Sequence, residues 1–179
     1  MKVKVSQTNT MIYDTVDDVF AANKAVRRRL ITRVDGLDAA RANASEGGWT
    51  VTQIVEHLSI AEPRITNAIE GLFAPTESNG RERESFMRFS LDEQAEKARG
   101  KIEAPEFLHP TGLLLAEGLR RLKQSRAALE ALRPRFESAD YARVLKHPAF
   151  GMLNAAQWLA FLGMHEERHL RQIERILGE

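Results

Sequence analysis

Apolar residues return every three or four positions in four long stretches of this chain, the period of an amphipathic α-helix. The first stretch carries Val16, Val19, Phe20, Val26, Leu30 and Val34. Its start, Thr15-Val16-Asp17-Asp18, resembles a capping box, and Gly36 suits its end. The second places Val51, Ile54, Val55, Leu58, Ala61, Ile65, Ile69 and Leu72 on one stripe. Thr50 and Gln53 form a capping box ahead of it, with Trp49 and Ile54 set as a hydrophobic staple. Pro63 removes a backbone donor and should bend this helix near Glu62. The third has Leu115, Leu119, Leu122 and Leu129 on one side and ends at Arg133-Pro134. The fourth is capped by Asn154, with Gln157 three residues on, and carries Trp158, Leu162, Ile173 and Ile176.

These patterns predict helices near 15–35, 50–72, 112–132 and 154–177. Residues 37–48 read as a polar loop, 73–111 as a long connection and 134–152 as another. Within the long connection, Ser90-Leu91-Asp92-Glu93 should cap a short helix that stops near Gly100. A connection of that length inside a compact domain is suited to cover an open end of it. Met1 to Tyr13 reads as an extended arm, and little or no sheet is expected elsewhere. The fold class is therefore all-α: a four-helix bundle, one up-and-down domain over residues 1–179, with a long crossover between helices 2 and 3.

Composition narrows the chemistry more than the fold. The 179 residues carry a net charge of +1, which favours neither nucleic acid nor an acidic surface. The basic clusters Arg27-Arg28-Arg29 and Arg120-Arg121 fall on predicted helices and read as solvated faces. There is no cysteine, which excludes disulfides, thiolate ligands and a cysteine nucleophile. Any thiol chemistry must use a sulfur brought by a bound small molecule. No signal-peptide core is present, and the apolar run Ala149 to Met164 is too short to span a bilayer. The expectation is a soluble cytoplasmic protein with a small-molecule substrate and no nucleic-acid or membrane partner.

His165 and His169 stand at i and i+4 on the last helix, in line with its apolar residues, so both imidazoles point into the core. Two imidazoles there are either packed and hydrogen-bonded or hold a metal. His57 lies at the edge of the second helix's stripe. If those two helices face each other, His57, His165 and His169 converge. Three imidazoles leave an open coordination position and suit Zn²⁺, Ni²⁺ or Fe²⁺, but not Ca²⁺ or Mg²⁺. The plainer reading leaves His57 half-exposed and the other two as core residues.

His165-Glu166-x-x-His169 also matches the zincin protease pattern, but no third histidine follows and no sheet is predicted to bind a peptide. Glu166 reads as solvent-exposed, or as an acceptor supporting a metal ligand. His109 and His147 each precede proline and read as surface turns, or as residues at the mouth of the site. Phosphate-binding glycine motifs and serine nucleophile elbows are absent. No catalytic residue and no organic-cofactor motif can be assigned.

Three segments together resemble the DinB-like superfamily. They are Trp49-Thr50-x-x-x-Ile54-x-x-His57-Leu58, His147-Pro148-x-Phe150-Gly151, and Trp158-Leu159-x-Phe161-x-x-x-His165-x-x-Arg168-His169-x-x-Gln172-Ile173. The resemblance implies a DinB/YfiT-like bundle with one divalent-metal site whose ligands are His57, His165 and His169. It also implies kinship in fold with metal-dependent transferases that use bacillithiol or mycothiol, and pairing into a homodimer. The expected activity is therefore a divalent-metal-dependent transferase acting with a low-molecular-weight thiol. The alternatives are a hydrolase using metal-activated water, or a non-catalytic bundle with an interaction or stress-response role. An enzyme needs a cleft that reaches the three histidines.

Overall fold

A computed structural model of the chain describes residues 11–74, 82–97 and 103–178. Its helices are α1 (Val16–Val34), α2 (Ala39–Ala42), α3 (Val51–Leu72), α4 (Asp92–Lys97), α5 (Leu115–Ala131) and α6 (Ala155–Ile176). The expected stop near Gly100 and most of the N-terminal arm lie outside the described residues. The long helices α1, α3, α5 and α6 make a four-helix bundle.

The predicted caps form. Thr15, Thr50 and Asn154 each accept from the backbone N–H three residues on, and Asp18, Gln53 and Gln157 answer to the cap N–H. Gly36 takes φ +72° just beyond α1, where a left-handed residue ends a helix at no steric cost. α3 stays helical through Pro63.

The bundle's core falls into two layers. Val19, Phe20, Ile65, Ile69, Leu129, Trp158 and Leu159 fill one. Leu30, Val34, Val51, Ile54, Leu122, Leu170 and Ile173 fill the other. Each such fully buried side chain contributes about 1.5–3 kcal/mol relative to exposure.

Three expectations need correction. First, the bundle is not up-and-down. Asn23 of α1 donates to the Leu159 carbonyl, and further along Arg29 pairs with Glu167 and Glu174, so α1 and α6 run parallel. Gly118 packs on Val55 and Arg126 pairs with Glu62, so α3 and α5 are parallel too. The 22 residues of α3 span about 33 Å, and the long crossover carries the chain back over that distance. Second, α5 begins at Leu115, later than its pattern suggests, because the residues before it are drawn to a carboxylate on α3.

Third, the loop 37–48 contains α2, capped by Asp38. The little sheet expected beyond the arm is one hairpin among the described residues. Strands β1 (Leu145–His147) and β2 (Gly151–Leu153) form an antiparallel hairpin with His147 opposite Gly151. None of the turn residues Pro148, Ala149 and Phe150 is left-handed, and Gly151 just after them takes φ +78° at no steric cost. The His147 Nδ1 accepts from the N–H groups of Ala149 and Phe150, fixing the turn from within. In the described part of the arm, Tyr13 pairs with Phe89 of the crossover through two backbone bonds.

Candidate metal centre

α3 and α6 run antiparallel and face each other, and this brings His57, His165 and His169 together. One ring nitrogen from each lies within 4.8 Å of the others. Ring centroids are 5.2 Å apart for His57 and His165, 4.9 Å for His57 and His169, and 4.7 Å for His165 and His169. His57 is 2% exposed and His169 8%, whereas His165 is only partly buried. The plainer reading of a half-exposed His57 does not hold.

Each partner of these rings limits which nitrogen is available. His57 Nδ1 donates to the Leu108 carbonyl at 2.9 Å, so the lone pair of a neutral ring sits on Nε2. That Nε2 lies 3.2 Å from His165 Nε2. Two nitrogens on one tetrahedral zinc-sized ion are about 3.3 Å apart, so this pair fits a shared ion. His169 Nδ1 lies 3.0 Å from Gln172 Oε1, to which it donates, leaving its Nε2 lone pair for the site.

Burial lowers the pKa of all three. His57 is lowered by desolvation, against the hydrogen bond to Leu108. His165 lies well below the usual imidazole range through burial, the neighbouring histidines and Arg168. His169 is lowered to about 3, chiefly by burial. Neutral imidazoles are the ligating form, so the donor set fits a divalent transition ion. Arg168, exposed on the same helix, adds its positive charge to all three shifts.

Aromatic rings flank the trio. Phe161 stacks on His165 at 5.8 Å and 24°, and His147 packs on Phe161 at 4.2 Å. His147 also meets Trp158 and Phe150, and its pKa is lowered to about 4 by burial. It is a half-buried member of this wall, not a surface turn. Trp49 packs on His57 at 4.8 Å, and exposed His109 touches Trp49 at 5.8 Å. His109 is thus one ring removed from the trio.

Glu166 corrects the sequence reading. It is 2% exposed, and so is not on the solvated face. It pairs with Arg27 and Arg126, and both guanidinium groups also pair with buried Glu62. Arg27 further donates to the Leu122 carbonyl at 2.9 Å. So Arg27 is a core residue, while Arg28 and Arg29 are exposed as the pattern implies. This ring of two cations and two anions escaped the sequence reading, because four charges scattered over four helices carry no shared spacing. The one available signal was that Arg27, Glu62 and Glu166 each lie beside or within an apolar stripe.

Glu56 was missed as well. Its carboxylate is 1% exposed and accepts from Thr111, Gly112 and Leu113 of the crossover. Burial would raise its pKa, but the bonds from Thr111, Leu113 and Gly112 hold it below the ordinary value.

Two grooves mark the surface. One, of about 660 Å³, lies among Asp14, Arg83, Arg133 and Tyr141. The other, of about 710 Å³, runs between α3, α5 and the crossover past Ser59, Phe107, His109 and Arg121. None of the three histidines lines either. The trio meets solvent through His165.

Comparison with known proteins places this geometry. The sequence pattern of the DinB superfamily matches residues 22–173. An uncharacterised protein of Bacillus subtilis (strain 168), YuaE, is 36% identical over 86 residues, 47% of this chain and 53% of YuaE. The match thus spans about half of that relative's length. Among solved structures, the four-helix bundle protein TT2238 superposes with a TM-score of 0.60 at 23% identity, covering 90% of this chain and 99% of that one. YfiT from Bacillus subtilis, described as a probable metal-dependent hydrolase with an unusual four-helix bundle topology, gives a TM-score of 0.55 at 16% identity. That superposition covers 99% of this chain and 93% of YfiT. Both are likenesses of fold.

Proposed function

The chain belongs to the DinB superfamily, and from that premise we propose that it is a divalent-metal-dependent enzyme that transfers a low-molecular-weight thiol to an electrophile. The observation that carries the metal is the convergence of His57, His165 and His169, with hydrogen bonds turning His57 Nε2 and His169 Nε2 inward. A bound ion would supply a Lewis acid that acidifies a thiol, or water, at neutral pH.

The protein's own residues favour thiol over water. Glu166, the carboxylate a zincin would use as a base, is engaged through its two oxygens by Arg27 and Arg126 and stands outside the cluster of converging ligand atoms. A thiol coordinated at the site would be deprotonated outright, its proton passing to solvent, whereas bound water would be acidified only to a pKa of about 7. The chain has no cysteine to compete for the ion or the electrophile. Phe161 and the partly buried rings of His147 and Phe150 offer an apolar wall beside His165 for the electrophile. Arg168 makes no ion pair among the described residues and suits an anionic group on thiol or electrophile. Hydrolysis is the second reading, favoured by what YfiT is described as doing.

The test starts with protein purified without a metal column and analysed for elements. About one equivalent of a divalent transition ion is expected, lost in the His165→Ala, His169→Ala double variant. Metal-loaded protein is then offered several thiols with a chromogenic electrophile, and separately a chromogenic ester. Thiol-dependent turnover that falls to the buffer rate in His57→Ala supports transfer. Ester turnover with the same dependence supports the hydrolase. Neither activity, with no metal above background, returns the bundle to a non-catalytic role. Pairing into a homodimer belongs to the same proposal and is read by sedimentation at micromolar protein.

A further inference from the structure

Two consecutive side chains of α3 hold one stretch of the crossover. His57 Nδ1 donates to the Leu108 carbonyl at 2.9 Å. Glu56 Oε1 accepts from the Thr111 N–H at 2.6 Å and from its hydroxyl at 2.8 Å. Glu56 Oε2 accepts from the Gly112 N–H at 3.1 Å and the Leu113 N–H at 3.0 Å. Three successive backbone donors converge on one carboxylate because Gly112 turns the chain at φ +106°. α5 starts straight after this turn, at Leu115, with no side-chain cap of its own. Between the two anchors lie only His109 and Pro110, and proline stiffens that link.

We propose that Glu56 is a positioning residue for the metal centre. Its carboxylate fixes residues 108–113 against α3, so that the Leu108 carbonyl meets the His57 Nδ1–H and the His57 lone pair stays on Nε2, facing His165. The inference rests on the metal reading above for its purpose, but its structural half stands on the metal-free protein. Glu56 is not itself a ligand: both oxygens are engaged by the crossover, and it is outside the cluster of converging ligand atoms. An ordinary capping role for Glu56 would secure α5 and leave the His57 ring unaffected. The positioning role ties the ring's tautomer to a carboxylate that does not touch it.

The experiment compares wild type with Glu56→Gln, whose amide turns two N–H donors toward a cluster of donors. Glu117→Gln, a partly exposed carboxylate lost from α5, is the control. In metal-free protein, long-range ¹H–¹⁵N NMR reports the His57 tautomer. Wild type and Glu117→Gln should carry the proton on Nδ1, and Glu56→Gln should show a mixture of tautomers. Titration with Co²⁺ should show about 10–100-fold weaker binding and altered visible bands in Glu56→Gln alone. The same His57 tautomer in wild type and Glu56→Gln overturns the proposal, whatever the Co²⁺ result. A tautomer change with no Co²⁺ binding in any protein upholds the positioning and sinks the metal reading. If Glu56→Gln does not fold, Gly112→Ala breaks the same turn from the crossover side, since φ +106° is strained for alanine. An unchanged tautomer there overturns the proposal equally.

Discussion

Glu166 Oε2 lies 2.7 Å from Arg126 Nη2 in the middle of the bundle, one residue along α6 from His165. The carboxylate that sequence spacing offers to the metal centre is instead part of the core's charge balance. Arg27 and Arg126 bring two positive charges among four helices, and Glu62 and Glu166 neutralise them. Removing one member leaves a buried charge uncompensated. Glu166→Ala should therefore lose about 3–5 kcal/mol in urea unfolding. A stability unchanged within error, with activity abolished, would instead make Glu166 a reacting group.

Gly163 allows α1 and α6 to approach. A Cβ there would stand 2.0 Å from Asn23 Oδ1, and Asn23 is committed to the Leu159 carbonyl through its Nδ2 at 2.8 Å. Gly163→Ala should destabilise by about 1–3 kcal/mol through overpacking. The Asn23→Ala, Gly163→Ala double variant should recover part of that loss, because the clashing oxygen is gone. Thermal unfolding of the four proteins measures the coupling, and strict additivity would rule out this contact as the cause.

Stability of the metal-free protein should fall in mild acid. His147 and His169 have folded pKa values lowered to about 4 and about 3 by burial. An unfolded chain takes up protons on both as pH drops through about 6.5, while the folded chain does not. Their contribution is complete above that value and declines as pH falls toward the folded values. The urea midpoint should thus be lower at pH 5 than at pH 7.5. A midpoint that is flat across this window would show that the imidazoles are not held neutral.

Metal affinity should follow a different curve from that of free imidazole. Protons compete for a ligand only below its own pKa, and burial lowers the pKa of His57, His165 and His169. Zn²⁺ binding should stay nearly level as pH falls through about 6.5, where imidazoles in solution already take up protons, and weaken only at lower pH. Competition titration against a chromophoric chelator reads this, and a loss of affinity centred at 6.5 would mean the three rings are solvated.

Much of this protein was legible in the chain alone. The capping boxes at Thr15, Thr50 and Asn154 form as the spacing requires, because a cap is satisfied by residues three apart. The apolar stripes found their core for the same reason, since a helix fixes its own faces. His165 and His169 were placed on one face by one helix. His57 could be paired with them only on the condition that α3 and α6 face each other. That condition, the parallel course of α3 and α5, and the hairpin at Leu145–Leu153 were decided by contacts between residues far apart in sequence. So were the roles of Arg27, Glu62, Glu166 and Glu56. A charged residue at the edge of an apolar stripe has the same local pattern whether water or a buried partner awaits it. What separates the two is whether an opposite charge or a convergent set of donors on another segment offsets its desolvation, and that partner exists only once the helices have packed.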